Sequence, residues 1–254
     1  MTKPNPTQPI RVSVCLATYN GARFVREQLA SILHQLTDED EVIISDDGST
    51  DDTVAVIRQF GDGRIRLLTN QPFRSVVMNF ENALKQARGA YIFLADQDDV
   101  WRSDKVATLL DELQSADLVV SDCTFIDESG RQIGDSYFAA YRSGRGVLKN
   151  FVKNTYLGNC MAFRRAVLPK ILPFPAQLYE ASKLALYHDV WIGLVANIWF
   201  RVRFTPAKLS AYRRHSANAS PTEMSAKSTN SLAQKLRARY WLAIGLLNRA
   251  LRIP

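Results

Sequence analysis

Only three cysteines, Cys15, Cys123 and Cys160, occur in 254 residues, far apart and in no CxxC pair. That scarcity excludes a disulfide framework and points to a reducing cytoplasm, with the thiols serving as small buried hydrophobes. No run approaches the roughly 18–20 apolar residues of a membrane span. Val190–Phe200 and Tyr240–Asn248 come nearest and fall well short. Residues 1–9 carry three prolines and no apolar core, so they read as a loose tail and not as a secretory leader. Internal repeats are missing, which excludes solenoids and propellers. A phosphate-binding P-loop and a GxGxxG after the first strand are missing too, and neither acidic cluster continues into the Gly and Glu of an EF-hand.

Acidic balance is missing from one end only. The formal net charge is +7, which invites a nucleic-acid reading. Residues 1–200 hold 21 Lys and Arg against 24 Asp and Glu, whereas residues 201–254 hold 11 bases against one acid, Glu223. The excess belongs to the C-terminal fifth, and nucleic acid is not an expected partner.

Short apolar strands alternate with amphipathic helices through the first half. Arg11–Ala17, Glu41–Ser45, Ile65–Thr69, Ala90–Ala95 and Asp117–Ser121 read as strands. Helices fit Arg23–Leu36, Asp51–Phe60 (capped by Ser49 or Thr50), Val76–Ala87 and Ser103–Gln114. Uniformly apolar strands signal a parallel sheet covered on both faces. Past Cys123 the rhythm changes: a hairpin around Glu128-Ser129-Gly130, a helix over Gly144–Asn154, a strand near Asn159–Phe163, a helix over Asp189–Ile198, and one or two strands in Phe200–Tyr212. The expected fold is a single α/β domain over 10–215 with a smaller mixed second region. A connector or lid follows over 216–230, then a basic amphipathic helix over 231–254.

Ligands of open parallel sheets bind beyond the carboxyl ends of the strands. Three polar clusters fall there: Thr18-Tyr19-Asn20, Asp46-Asp47 and Asp96-Gln97-Asp98-Asp99. Alternate residues of an extended segment face one way, so Asp96 and Asp98 converge while Gln97 points elsewhere and Asp99 is left to cap the next helix. Paired carboxylates suit Mg²⁺ or Mn²⁺, which keeps positions for water and phosphate oxygens.

VSVCLATYNGARFVREQLASIL, VIISDDGSTDDT and ADQDDVW, followed later by YHDVW and YRRHSAN, resemble inverting family 2 glycosyltransferases of the GT-A fold. The likeness runs over roughly 10–215 and is strongest to bacterial glycan-building members such as rhamnosyltransferases. It implies transfer of a sugar from a nucleoside diphosphate, dTDP-rhamnose or a UDP-sugar, to a hydroxyl of a surface-glycan acceptor such as lipopolysaccharide. By the same resemblance Ala17, Thr18, Tyr19, Asp46 and Asp47 hold the nucleotide, with Tyr19 stacking and Asp47 accepting from the pyrimidine. Asp96 lies near ribose and metal, Asp98 binds the metal directly, and His215 completes that site. Arg213 and Arg214 face the diphosphate. Asp189 is the general base, ionised at neutral pH without any special shift. Gly158 and Asn159 fall on the acceptor side, as does His188, which stands where relatives carry Glu. A sugar-nucleotide pyrophosphorylase is the nearest alternative enzyme, but its Gly-rich basic loop is missing. A non-enzymatic glycan-binding module gives no reason for Asp189.

Within 231–252, Leu232, Leu236, Ala243, Leu247 and Ala250 make an apolar stripe flanked by Lys235, Arg239 and Arg249. Tyr240 and Trp241 favour a membrane interface. The helix suits an anionic membrane surface, on the inner face of the cell membrane, where it would meet a lipid-linked acceptor. Packing on the domain or on a second subunit is the alternative.

Overall fold

A computed structural model describes residues 9–69, 72–180, 187–216, 218 and 231–251. The tail expected over 1–9 and the connector over 216–230 lie outside the described residues, apart from Pro9, Ser216 and Asn218. The chain runs β1 (Val12–Thr18), α1 (Val25–Leu33), β2 (Glu41–Asp46), α2 (Thr53–Arg58), β3 (Ile65–Leu68), α3 (Val76–Gln86) and β4 (Tyr91–Asp96). Then come β5 (Val100–Trp101), α4 (Lys105–Glu112), β6 (Leu118–Ile126), β7 (Gln132–Gly134), α5 (Tyr137–Tyr141) and α6 (Val147–Val152). β8 (Met161–Arg164), α7 (Leu168–Ile171), α8 (His188–Trp199), β9 (Val202–Arg213) and α9 (Leu232–Leu251) complete it.

Among the described residues nine strands form one sheet in the order β3-β2-β1-β4-β8-β6-β9-β5, with β7 on β6. β1 to β4 are mutually parallel where they pair, and β8 is antiparallel to both neighbours. Every residue of β1 is buried, and the strand divides its side chains by the period of two. Cys15 and Ala17 join Val77 and Phe80 of α3 in one core, along with Trp191 and Leu194 of α8. Val12, Val14 and Leu16 meet Leu29 and Ile32 of α1 and Leu109 of α4 in the other. This is the doubly covered α/β sheet that the apolar strands imply.

Register delivers the site. Thr18 stands opposite Asp46, and Ala17 opposite Asp96, so three polar strand ends share one rim. The stretch expected to hold one or two strands, Phe200–Tyr212, falls on a single long strand, β9 (Val202–Arg213), bulged where its register on β6 shifts near Asp122. Its end brings Arg213-Arg214-His215 alongside the loop after β4.

Two local expectations change. Asp52 is the N-cap residue of α2 and makes no side-chain cap; the Ser49 hydroxyl instead donates to Asp46 Oδ2 at 2.6 Å. Asp99 caps nothing: it is fully buried and accepts from the Arg213 backbone N–H at 2.9 Å. At the C-terminus, α9 docks through Ala238, Leu242 and Gly245, where a Cβ on Gly245 would already touch Trp191 at 3.0 Å. The predicted apolar stripe faces the other way, with Leu232, Leu236 and Leu247 exposed. Arg249 is buried and donates to the Leu172 carbonyl at 2.8 Å, so it is not part of a solvated basic flank.

Candidate functional site

A cleft of about 620 Å³ opens over the rim. Ala17, Thr18 and Tyr19 line its floor beside Asp96, Gln97 and Asp98; Asp47, Arg74, Ser75 and Asn79 form one wall. Leu157, Gly158, Tyr187, His188 and Asp189 form the facing wall, and Tyr212 and Asn218 close one end. Of the residues expected from the sequence, Ala17, Thr18, Tyr19, Asp47, Asp96, Asp98, Gly158, His188 and Asp189 meet here.

The floor is pinned by an amide. Gln97 Oε1 accepts from the Tyr19 N–H at 2.8 Å while Gln97 Nε2 donates to the Tyr19 carbonyl at 2.9 Å. Gln97 therefore joins the first and third polar clusters and does not point away. Gly21 makes this close approach feasible, since a Cβ there would collide with the Gln97 amide. Asp47 accepts from the backbone N–H groups of Arg74 and Ser75 at 2.8 and 2.9 Å, fixing the loop that enters α3. The loop turns through Arg74 at φ +51°, placing that exposed guanidinium at the cleft wall. Arg74 and Asn79, which donates to the Thr18 carbonyl at 3.0 Å, were missed by sequence reasoning. Neither belongs to a motif, and Arg74 sits in a loop without periodicity.

Several expected contacts are corrected. Asp46 is buried beneath the rim, with its oxygens taken by Thr18 Oγ1 at 2.9 Å and by the Ser49 N–H at 2.8 Å. Arg213 is 2% exposed and fully committed: Nε donates to the Asp98 carbonyl, Nη1 to the Asp127 and Glu128 carbonyls, and Nη2 to Glu27 at 2.6 Å. Arg214 is buried and donates to the Tyr212 hydroxyl at 2.7 Å, so neither arginine reaches the cleft. Asn159 lies behind the wall, its amide donating to Asp99 and its carbonyl accepting from Lys105 Nζ at 2.6 Å.

His215 does not line the cleft but touches Asp98 from behind, Nε2 to Oδ2 at 2.7 Å, and packs on Phe24 at 4.9 Å. Asn218 donates to the same Asp98 oxygen at 3.1 Å. Among the described residues no cluster of three His, Cys, Asp or Glu encloses an ion by itself. The donor set nevertheless fits a hard divalent cation that keeps open positions. Burial first, and then the like charges of Asp98 and Asp189, together push Asp96 up to about 8. A cation between Asp96 and Asp98 would relieve that repulsion.

Asp189, in the first turn of α8, accepts from the Val190 N–H at 2.7 Å and from Asn154 Nδ2 at 3.2 Å. Burial raises its carboxyl to about 6 against those two hydrogen bonds, which corrects the expectation of an unshifted base. Asn154 carries no sequence signal. Behind the floor, fully buried Lys105 bonds Asn159 and Ser210 Oγ and lies 4.2 Å from the Trp101 ring centroid; burial lowers it to about 8.

The family model described as glycosyl transferase family 2 matches residues 13–172. The Escherichia coli UDP-Glc:alpha-D-GlcNAc-diphosphoundecaprenol beta-1,3-glucosyltransferase WfgD is 34% identical over 95 residues, covering 37% of this chain and 38% of that protein. In structure the chain is similar to Staphylococcus aureus TarS 1–349 in complex with UDP-GlcNAc (TM-score 0.67, 19% identity, covering 94% of this chain and 67% of that one). It is also similar to Mycobacterium tuberculosis glucosyl-3-phosphoglycerate synthase in complex with Mn²⁺, UDP and phosphoglyceric acid (TM-score 0.53, 19% identity, 96% and 79%).

The buried commitments of Arg213 yield the first test. Arg213→Ala is expected to destabilise the fold by about 2–4 kcal/mol, because it leaves the Asp98, Asp127 and Glu128 carbonyls without their donor and empties the space of a buried side chain. Urea unfolding without any nucleotide measures this; unchanged stability would return Arg213 to the list of ligand contacts.

Proposed function

Because the chain belongs to glycosyl transferase family 2, on a match covering well over half its length, we propose that its cleft transfers a sugar from a nucleoside diphosphate to an acceptor hydroxyl with inversion. The observation that carries this reading is the placement of Asp189, a carboxylate raised to about 6, in one cleft with the Asp96–Asp98 pair. The nucleotide would lie along Ala17, Thr18, Tyr19, Asp47 and Asn79, with Tyr19 free to stack on the base and Arg74 positioned to pair with phosphate. A UDP-sugar is the favoured donor, since relatives are named for UDP-glucose and solved with UDP-GlcNAc; dTDP-rhamnose is the alternative.

In the chemical step, the acceptor oxygen bonds to the anomeric carbon while its proton passes to Asp189 and the bond to the diphosphate breaks on the opposite face. Asn154 orients the carboxylate, and Gly158 leaves room for the His188 ring on the acceptor side. Mg²⁺ or Mn²⁺, held by Asp98 and Asp96 with His215 backing Asp98, would supply charge neutralisation at the departing diphosphate. Asp189→Asn should lower turnover by about 10²–10⁴-fold with donor affinity nearly intact. The base works only when deprotonated, so kcat/KM should fall about tenfold per pH unit below about 6. Asn154→Ala removes a bond to the charged form and should move that acid limb to higher pH; an unmoved limb would remove Asp189 from the role.

Thermal stabilisation by UDP should increase with Mn²⁺, and Asp98→Ala should abolish the increment alone. An intact increment would contradict the metal assignment.

The acceptor we favour is a lipid-linked bacterial glycan at the cytoplasmic membrane face, and the surface around α6 and α9 supports it. No helix among the described residues is long and apolar enough to cross a membrane. Leu236 of α9 is 62% exposed and Leu148 of α6 76%, and Arg239 ties the two helices by donating to the Val152 carbonyl at 2.7 Å. Neither 136–179 nor 231–251 contains an acidic residue, so bases such as Lys149, Lys153 and Lys235 stand unopposed within both stretches. Basic and apolar groups together suit anionic lipid. From α6 the chain leads directly through Asn154 to Leu157 and Gly158 at the cleft. Leu148→Glu with Leu236→Glu should abolish flotation with phosphatidylglycerol liposomes while leaving UDP binding unchanged; undiminished flotation would refute the surface.

A further inference from the structure

His188 lines the cleft with both of its ring nitrogens left unanswered by the described residues. It is 5% exposed, and neither Nδ1 nor Nε2 has a hydrogen-bond partner among the described residues. Two buried ring nitrogens without partners cost more than a phenylalanine or leucine of similar size would in the same place. The ring is nevertheless held firmly. One face stacks on Phe80 with centroids 3.9 Å apart, and a Cβ on Gly158 would come within 2.6 Å of Nε2, so glycine there leaves just the space the imidazole takes. The same ring lines the cleft beside Asp189 and Gly158, so a bound molecule can reach it.

We propose that His188 is a specificity-determining residue whose uncharged imidazole exchanges hydrogen bonds with a hydroxyl of the neutral sugar held beside Asp189. This rests on the glycosyltransferase reading for the identity of the ligand as a sugar. The chemistry selects the partner class. An uncharged imidazole offers one donor and one acceptor, and a hydroxyl is the sugar group that can answer either. A ligand carboxylate or phosphate at this position would add negative charge beside Asp189, and the uncharged ring brings no positive charge to meet it. Burial holds the ring uncharged, pushing its pKa down to about 3. A Glu at the same position would bring a further carboxylate to a cleft already crowded with them. The imidazole supplies hydrogen bonding without that charge.

The chain has only three histidines, His34, His188 and His215, which makes the test direct. Imidazole-labelled protein is followed by NMR, with His188→Phe assigning the signal. UDP is added first, then UDP-glucose, UDP-GlcNAc and dTDP-rhamnose, and then free glucose or N-acetylglucosamine on the UDP complex. The His188 nitrogens should shift when a sugar is present and stay in place with UDP alone. His188→Phe should bind UDP with unchanged affinity and the responsive sugar ligand about tenfold more weakly, and His188→Gln should recover most of the loss. A purely structural histidine would lower stability without separating nucleotide from sugar. A silent His188 in a protein that nucleotide sugars do stabilise overturns this proposal and leaves the transferase reading standing. A response to UDP alone, or equal sugar binding by His188→Phe, also overturns it. If no nucleotide or sugar ligand changes either the spectrum or the thermal stability, both readings fall together.

Discussion

The Asp99 carboxylate accepts from the Arg213 backbone N–H and from the Asn159 amide, and thereby fastens the end of β9 and the approach to β8 to the loop after β4. Lys105 repeats the connection from below, bonding the Asn159 carbonyl and Ser210. Burial and the neighbouring Asp98 and Asp96 charges raise the Asp99 carboxyl well above the usual range, so the joint sits in a strongly negative field. Arg213, threaded between Glu27 and the Asp98, Asp127 and Glu128 carbonyls, counters that field from the covered side. Without this buried set the loop carrying Asp96 and Asp98 would have no reason to stay where its own charges repel.

The division of labour follows. Positive charge from Lys105 and Arg213 is spent behind the floor, and the cleft is left with Asp47, Asp96, Asp98 and Asp189 against Arg74. With that lining, the proposed diphosphate donor would need the proposed divalent cation to offset its charge. The same excess explains why an imidazole, and not another acid, is tolerable at position 188. Asp189 gains its raised carboxyl from burial, while Asn154 and the first N–H groups of α8 keep the charged form within reach.

What was legible in the sequence is what local geometry decides. Short, uniformly apolar strands, their ends and the spacing of Asp96 and Asp98 located the rim, because parallel register carries strand ends to one edge whatever lies around them. Choices between adjacent polar residues were not legible. Asp46 and Asp47 look equivalent in the chain, yet one closes onto Thr18 and Ser49 beneath the rim and the other reaches Arg74 and Ser75 at the wall. Arg213 and Arg214 likewise resembled phosphate ligands because nothing local announces that β9 runs past Asp99 and buries them. Lys105 carries no sequence signal for the same reason: its partners lie 54 and 105 residues away.

The C-terminal helix shows a different limit. Its hydrophobic periodicity marks a face rich in leucine, and hydrophobicity alone would send that face to the core. The face that docks carries Ala238, Leu242 and Gly245, with Trp241 and Leu246 packed beside it, and at Gly245 the close approach of Trp191 and Pro175 leaves no room for a larger side chain. Shape decides the contact at Gly245, and Leu232, Leu236 and Leu247 are left on the opposite side. A helix fixed through Ala238, Leu242 and Gly245 contributes those leucines as apolar surface without being free to bury them. Leu148 and Val152 of α6 extend that surface toward Asn154 and Gly158 at the cleft. The same docking that stabilises α9 thus sets the orientation in which the catalytic cleft would meet whatever the exposed side chains cover.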